Sequence, residues 1–274
     1  MVFESLVPEF IPKKRLGQNF LVDKRAIDRI VGACDLLQDE VILEIGPGQG
    51  ALTRVLLPFV KGIVAVEADR ALVGRLRTEF EGRELIVHHA DILKVDLLTI
   101  PGPLKVVGNI PYNISTPIIA RILENRKIFT SLFMTLQYEF GARLVAKPGT
   151  KDYSSLSCFV QMFAEPKLLF KIPPAAFRPM PKVTSCFMRL DIRREPAYQL
   201  EDEATFVTVV RQAFQQRRKN LLNSLSPLCP KNEVARILEK AKVDPQDRAE
   251  DLTIAQYARI ANVYHQQKDL LPRH

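Results

Sequence analysis

Short, almost continuously apolar segments alternate with amphipathic helical segments across the first half of the chain, and this alternation restricts the fold more than any other feature. Segments of this kind are typical of strands in a parallel sheet that helices cover on both faces. The pattern therefore predicts an α/β fold with a mostly parallel sheet. The predicted strands cover residues 41–45, 63–67, 85–89, 104–107 and 131–137, and the predicted helices cover 23–34, 51–60, 68–80 and 116–124.

Further strand patterns follow Pro148-Gly149. Residues 154–163 show the period of a helix, whereas residues 166–172 and 185–190 resemble two strands joined by a proline-rich loop. We expect these two strands to pair as a hairpin at the edge of the sheet, which brings the sheet to about seven strands.

The pattern changes after Arg193-Arg194-Glu195-Pro196, where strands give way to helices. We therefore place a domain boundary there and predict three parts: a loose tail at 1–12, an α/β domain at 13–192 and a small all-helical domain at 193–274. The helices predicted in the last part cover residues 204–214, 219–225, 233–241 and 254–264.

Composition excludes several classes of protein. With 274 residues and 47% hydrophobic content, the chain can build a full core, and it has no apolar run close to the ~20 residues that a membrane helix needs. The first residues include Glu4 and Glu9 and lack a basic segment before an apolar one, so we expect no secretory signal. The four cysteines are scattered, which predicts reduced thiols in a cytoplasmic protein and no structural zinc or other metal.

The net charge of +8 favours an anionic partner, and nucleic acid is the first candidate. The positive charge is concentrated in short clusters rather than in a basic arm. These clusters are Lys13-Lys14-Arg15, Lys24-Arg25 and Arg217-Arg218-Lys219.

Polar or flexible residues stand where four of the predicted strands end. Gly46, Glu67, Asp91 and Asn109 follow or close successive strands. In a parallel α/β sheet, ligands bind beyond the carboxyl ends of the strands. The agreement among four strands therefore predicts a ligand site at this edge.

A glycine-rich segment, Glu44-Ile45-Gly46-Pro47-Gly48-Gln49-Gly50, opens this edge. Gly46 and Gly48 permit a tight turn and a close approach of backbone to a ligand. Glu67 ends the next strand, where a carboxylate can accept hydrogen bonds from ribose hydroxyls, and Asp91 can bind an adenine amine. Taken alone, the segment fits S-adenosylmethionine, a nicotinamide dinucleotide or a glycine turn without a ligand, and Asp91 alone fits a solvated acid equally well.

The tetrapeptide Asn109-Ile110-Pro111-Tyr112 favours methyl transfer. An exocyclic aromatic amine is a poor nucleophile, because its lone pair is delocalised into the ring. If the Asn109 side-chain oxygen and the Ile110 carbonyl accept its two hydrogens, the nitrogen can pyramidalise toward a methyl carbon. Pro111 stiffens the turn, and Tyr112 offers a face on which a base can stack. Without the upstream glycines, an ordinary turn would be the simpler interpretation.

Two further segments fit the same pocket. Phe177, in Phe177-Arg178-Pro179-Met180-Pro181-Lys182-Val183, can close the other side of a base, although packing against the sheet explains it equally well. Asn19, in Gln18-Asn19-Phe20-Leu21, can contact the methionine end of the cofactor.

Arg217-Arg218-Lys219 lies between two predicted helices, with Asn220 and Asn223 nearby. Three adjacent cations predict contact with phosphates, and a solvated run of charge is the alternative. His88 and His89 adjoin Asp91 without a nucleophilic partner nearby, so we interpret them as structural or surface residues.

In this order, these segments resemble the ribosomal RNA adenine N6-dimethyltransferase family, and more closely its bacterial small-subunit branch. Residues 248–252 also fit, and the resemblance extends from about residue 13 to 263. It implies a Rossmann-like class I methyltransferase domain with a small helical domain behind it. Lys219-Asn220-Leu221 departs from the family pattern, which often has Thr in place of Asn.

The resemblance implies S-adenosylmethionine as methyl donor and dimethylation of two adjacent adenosines in the 3′-terminal hairpin of 16S rRNA, late in small-subunit assembly. The partner would be a precursor small subunit, and we expect a monomer. The family's contacts with cofactor fall on Asn19, Leu21, Gly46, Glu67, Asp91 and Asn109, to which the glycine turn adds Gly48. Its contacts with the target base fall on Asn109, Ile110, Pro111, Tyr112 and Phe177, and the expected RNA contacts are Arg178, Arg217, Arg218 and Lys219.

Three alternatives differ from this prediction in testable ways. Close relatives modify large-subunit rRNA and confer antibiotic resistance, and residues 217–219 and the ending favour the small-subunit branch over them. A non-enzymatic RNA-binding factor on the same fold is disfavoured because both the glycine segment and residues 109–112 are intact. A dehydrogenase is disfavoured because a turn suited to grip an amine follows the glycines.

Overall fold

The computed structural model describes residues 18–100, 102 and 104–268. The predicted tail at 1–12 and the cluster Lys13-Lys14-Arg15 lie outside the described residues.

Strands and helices alternate through the described part of the chain as the apolar pattern predicts. The first elements are β1 (Phe20–Leu21), α1 (Lys24–Gly32), β2 (Val41–Ile45), α2 (Ala51–Leu56), β3 (Gly62–Glu67), α3 (Arg70–Glu79), β4 (Leu85–His89), β5 (Leu104–Gly108), α4 (Ser115–Glu124) and β6 (Phe129–Gln137). They are followed by α5 (Tyr138–Leu144), α6 (Ser155–Phe163), β7 (Ala164–Ile172), β8 (Phe177–Arg178), β9 (Ser185–Ile192), α7 (Glu203–Gln215), α8 (Leu221–Ser224), α9 (Lys231–Lys240) and α10 (Ile254–Gln267).

Seven of the strands described form one sheet, in the order β4-β3-β2-β5-β6-β9-β7. β2 is parallel to both β3 and β5, and β3 is parallel to β4. From β2 the chain order runs outward through β3 and β4 on one side and through β5 and β6 on the other, so the sheet has a switch point between β2 and β5. The predicted α/β class and the pairing of the two late strands, β9 and β7, at the sheet edge are confirmed.

Local sequence signals explain where the helices begin. The carboxylate of Asp23 accepts a hydrogen bond from Ala26 N at 2.7 Å and caps α1. Asp69 caps α3 in the same way, with Ala71 N as donor at 3.0 Å. Asn220 caps α8, so this helix begins at Leu221 rather than at Lys219.

Two features were not predicted. Helix α5 follows β6 directly, with no loop between them that would mark its start. β1 and β8 pair antiparallel as a two-residue ribbon, with Leu21 opposite Phe177. Such short strands have too few residues to show an alternating pattern.

The chain divides into two compact units. The first contains the described residues up to Ile122 together with Phe133–Tyr138 and Leu169–Phe187. Its core includes buried side chains of α1, of β2 to β4 and of the residues around Phe177 and Phe187.

The second unit contains Leu123–Leu132, Glu139–Leu168 and the described residues from Met188 onward. Within it α6, α7 and α10 pack together, and Phe163 contacts Phe206 edge-on at 6.4 Å between ring centroids. The predicted boundary between an α/β domain at 13–192 and a helical domain at 193–274 stays a prediction. Among the described residues, no helix has the length and apolar character needed to span a bilayer.

Candidate active site

A cavity of about 250 Å³ lies at the carboxyl ends of β2, β3, β4 and β5, within the first unit. The residues that line it include ten of the predicted contacts with cofactor and base. These are Asn19, Leu21, Gly46, Gly48, Glu67, Asp91, Asn109, Ile110, Pro111 and Tyr112. The structure therefore brings together residues that are widely separated in the sequence.

The glycine loop, residues 46–50, uses its glycine N–H groups within the protein. Gly46 N donates to Val66 O at 2.9 Å and Gly50 N donates to Pro47 O at 2.9 Å. Gly48 N donates to the Glu67 carboxylate at 3.0 Å. A dinucleotide-binding loop presents such N–H groups to a pyrophosphate. Because these three are already used, the geometry disfavours the dinucleotide interpretation.

Gly48 has two reasons to be glycine. Its φ of +60° is a left-handed conformation that side chains rarely adopt. A Cβ built at Gly48 would also come within 3.1 Å of the Phe20 ring, which lines the cavity. The backbone of the loop thus lies directly against the wall that Phe20 provides.

Two buried carboxylates border the cavity. Glu44 is 1% exposed and accepts a hydrogen bond from Thr53 Oγ1 at 2.7 Å. Burial raises the pKa of Glu44 to about 7, against the hydrogen bond from Thr53, and the nearby Glu67 raises it further. Burial also raises the pKa of Glu67, which accepts from Asp69 N at 2.8 Å as well as from Gly48. This set of acceptors suits a ligand that carries positive charge and hydroxyl donors.

Asp91 lines the same cavity just after β4 and is exposed. One of its oxygens, Oδ1, accepts from Leu93 N at 2.9 Å and shapes the turn. Asp91 thus stands at the edge of the cavity, on a turn that its own side chain stabilises.

A hydrogen bond with Asn19 sets the orientation of the Asn109 side-chain amide. Asn109 Nδ2 donates to the Asn19 carbonyl oxygen at 2.8 Å, so Oδ1 faces the other way. Gly108, which precedes it, is opposite Ile45 in the pairing of β5 with β2. A Cβ at Gly108 would lie 2.8 Å from Ile45 O, so only glycine lets β5 approach β2 closely enough to place Asn109 here.

Tyr112 is partly exposed and lines the cavity, and its hydroxyl is hydrogen-bonded to Ser185 Oγ at 2.6 Å. Burial raises the pKa of Tyr112, so the phenol stays protonated. The hydrogen bond at the hydroxyl therefore holds the Tyr112 ring, on whose face a base would stack.

Comparison with known proteins identifies the family of this chain. The family model for ribosomal RNA adenine dimethylase matches residues 10–266. The chain belongs to the ribosomal RNA adenine dimethylase family. The predicted family is thereby confirmed.

Curated relatives in this family share much of the sequence. Ribosomal RNA small subunit methyltransferase A of Magnetococcus marinus is 44% identical over 256 residues, covering 92% of this chain and 91% of that relative. The protein of the same name from Syntrophotalea carbinolica is 42% identical over 256 residues, covering 92% and 96%.

Solved structures agree with the fold of this dimethylase-family chain. The 23S rRNA methyltransferase ErmE has a TM-score of 0.70 and 30% identity, covering 90% of this chain and 100% of that one. A dimethyladenosine transferase from Plasmodium falciparum has a TM-score of 0.80 at 23% identity, covering 92% and 99%. The predicted Rossmann-like fold is confirmed.

Phe177 is not part of the cavity wall. Its side chain is fully buried in the core of the first unit, where β8 pairs with β1. Stacking of Phe177 on a target base stays a prediction, and it requires this ring to become exposed. Arg178 follows it and is exposed, with Nη1 donating to Ala175 O and Phe177 O at 3.1 and 2.9 Å.

The predicted phosphate contacts form an exposed turn between α7 and α8, which we call the basic turn (residues 216–219). Arg217 is paired with Glu250 at 2.9 Å and also donates to Lys151 O at 3.0 Å. Arg218 and Lys219 are fully on the outside of the turn. The structure thus joins the basic cluster to the segment 248–252, which the family resemblance singled out separately.

Four residues of the site were not predicted individually. Glu44 and Phe20 lie inside the segments Glu44–Gly50 and Gln18–Leu21, which the sequence pattern does indicate. Membership in those segments is the signal that could have found them. Gly108 and Ser185 had no such signal, because their roles depend on contacts across the sheet. Among the described residues, no group of three or more His, Cys, Asp or Glu could hold a metal, and the expectation of a metal-free site stays a prediction.

Proposed function

We propose that this protein transfers methyl groups from S-adenosylmethionine to N6 of two adjacent adenosines in the 3′-terminal hairpin of 16S rRNA, giving N6,N6-dimethyladenosines late in small-subunit assembly. The observation that carries the proposal is the orientation of the Asn109 side chain. Its Nδ2 donates to the Asn19 carbonyl oxygen, so its Oδ1 faces away from Asn19. Membership in the rRNA adenine dimethylase family supports the same reaction.

The cavity fits the cofactor on chemical grounds. Glu44 and Glu67 are buried acceptors beside the glycine loop, and a cationic ligand relieves the electrostatic cost of ionising them. Glu67 Oε2 accepts from Gly48 N and Oε1 accepts from Asp69 N, and the carboxylate still has lone-pair capacity for a ribose hydroxyl. Asn19, Leu21 and Gly46 complete the lining on that side.

The protein's task is positioning. S-adenosylmethionine supplies a methyl group on a sulfonium, which is already a good leaving group. Asn109 Oδ1 and the Ile110 carbonyl would accept the two hydrogens of the adenine amine and aim its lone pair at the methyl carbon. After transfer the nitrogen gives up one proton, which the Ile110 carbonyl can pass to water. Pro111 keeps the turn rigid, and Tyr112 supports the base from one face.

Sequence identity supports the small subunit as the substrate. The curated relatives named as small-subunit methyltransferases are 39–44% identical, whereas the 23S rRNA methyltransferase ErmE is 30% identical. The exposed cations Arg218 and Lys219 would contact phosphates of the same RNA. We propose that the protein acts as a monomer in the cytoplasm on a precursor small subunit.

The test is to incubate the protein with labelled S-adenosylmethionine and undermethylated small ribosomal subunits, and to map the labelled nucleotides. The expected result is label on N6 of two adjacent adenosines near the 3′ end of 16S rRNA. Large subunits serve as the parallel substrate. Label confined to large-subunit rRNA, or binding of the cofactor without any transfer, would overturn the proposal.

A further inference from the structure

Ser185 contacts a residue of the candidate site, although the proposed reaction gives Ser185 no role. Its Oγ is hydrogen-bonded to the Tyr112 hydroxyl at 2.6 Å, although 73 residues separate the two in sequence. Ser185 is 0% exposed and does not line the cavity, whereas Tyr112 does. Ser185 therefore acts on the site through its hydrogen bond with the tyrosine.

Hydrogen bonds at both of its neighbours in the chain, Thr184 and Cys186, fix the position of Ser185. It is the first residue of β9, a strand inside the sheet between β6 and β7. The carbonyl of Thr184 accepts from Tyr138 N at 3.0 Å, and Cys186 Sγ donates to Gln137 O at 3.8 Å. The junction of β6 and α5 thus holds the two neighbours of Ser185.

A hydrogen bond at the hydroxyl constrains a tyrosine in a particular way. Rotation about χ1 swings the hydroxyl through several ångströms, so anchoring that atom fixes the direction in which the ring extends. Rotation of the ring about its own long axis leaves the hydroxyl in place, and packing must set that angle. Without Ser185, the hydroxyl of Tyr112 would lose its partner in a partly desolvated place, which favours a different χ1.

We propose that Ser185 is a positioning residue for methyl transfer, which holds the Tyr112 ring where the target adenine stacks. This inference rests on the proposed function, because it presupposes a base in the cavity. The loop between β8 and β9 contains the proline-rich segment 179–181 and is followed directly by Ser185. Ser185 therefore also connects this segment to the site. Positioning errors of this kind act on the chemical step more than on binding.

The experiment is a double-mutant cycle on Ser185→Ala and Tyr112→Phe, with kcat and KM measured on undermethylated small subunits. Each single variant removes one hydroxyl, and Tyr112→Phe keeps the aromatic ring. We expect kcat to fall about tenfold in each, the scale of one hydrogen bond, with KM and the dissociation constant of S-adenosylmethionine unchanged. The double variant should be no slower than the slower single variant, because both changes break the same hydrogen bond.

Ser131→Ala, which removes the hydroxyl of another buried serine, is the control and should leave kcat unchanged. Normal kcat in Ser185→Ala, or reductions that multiply to about a hundredfold in the double variant, would overturn the inference. If Ser185→Ala fails to fold, Tyr112→Phe alone decides, because normal kcat in that variant contradicts the anchoring role. A wild-type protein that binds cofactor but methylates no adenosine would instead overturn the proposed function.

Discussion

The amine turn, residues 109–112, and the basic turn, residues 216–219, are both short polar turns, but they are built in opposite ways. In the amine turn, Asn109 is held by a backbone carbonyl and Tyr112 by a buried serine. In the basic turn, Arg217 is held by Glu250, while Arg218 and Lys219 project from the surface.

This difference corresponds to two different physical demands. Aligning a lone pair with a methyl carbon requires atoms fixed to within a fraction of an ångström, which partly buried hydrogen bonds provide here. Attracting a polyanion requires charge near the surface, and its energy changes little if a side chain moves. Substitutions in the amine turn should therefore act on turnover, and substitutions in the basic turn should act on affinity and its salt dependence.

Asn109→Ala should have the largest effect. It removes one of the two acceptors for the target amine, and loss of one such preorganised group costs roughly 10²–10³-fold in kcat. Turnover on undermethylated small subunits, with unfolding by urea as a check of folding, measures this. Asn113→Ala is the matched control and should be nearly normal, because Asn113 is an exposed asparagine in the 3-10 helix Tyr112–Ile114. Near-normal turnover in Asn109→Ala would remove the contrast between the two turns.

Glu44→Gln should change how stability depends on pH. In the wild type, the folded protein keeps the proton of Glu44 up to about pH 7, whereas the unfolded chain releases it near 4.5. Folded stability therefore falls as pH rises through that window, and the cost at the upper end is up to roughly 3 kcal/mol. Glu67, whose pKa is also raised, acts in the same direction.

Gln keeps an acceptor for Thr53 and carries no charge. The variant should therefore gain stability relative to the wild type between pH 5 and pH 8, as urea unfolding in the absence of cofactor would measure. Parallel curves for the two proteins would show that Glu44 is not held as this site requires.

Gly108→Ala should reduce the free energy of unfolding by about 1–3 kcal/mol, because the new methyl group would lie 2.8 Å from Ile45 O. Turnover should fall as well, since Asn109 directly follows β5. Gly74→Ala is the control: nothing lies within 4 Å of its Cβ position in α3, so it should be neutral or slightly stabilising. Equal stability of the two variants would contradict the close approach of β5 to β2.

Replacing Arg218 and Lys219 together by alanine should have the smallest effect on kcat. Affinity for the subunit should weaken, and the slope of log affinity against log salt should flatten by about one for each phosphate that the protein no longer neutralises. Replacing Lys231 and Lys240 together by alanine, which removes two exposed cations at the ends of α9, controls for the loss of net charge. A salt slope that changes equally in the control would identify the basic turn as a solvated run of charge.

Much of the fold was accessible from sequence because strand and helix periods are local. The strands 41–45 and 85–89 agree with the structure residue for residue, and the carboxyl-end residues Gly46, Glu67, Asp91 and Asn109 do line one cavity. The carboxyl ends of neighbouring parallel strands lie at the same edge of the sheet. Residues that directly follow these strands in the sequence therefore come together there.

The rest depended on contacts that sequence spacing does not encode. Gly108 is required by its register against Ile45, and Ser185 by a hydrogen bond across 73 residues. Phe177 shows the opposite problem, because an aromatic residue on a proline-rich loop fits a base-stacking role and a core role equally well. The structure places its ring in the core. Side-chain depth follows from packing, which the local pattern leaves open.

The most direct measurement is a crystal structure of the protein with a non-reactive S-adenosylmethionine analogue and adenosine. We predict the adenine amine about 3 Å from both Asn109 Oδ1 and the Ile110 carbonyl oxygen, with the base against Tyr112. An adenine bound with its amine turned away from both oxygens, while the analogue occupies the glycine loop, would contradict this prediction.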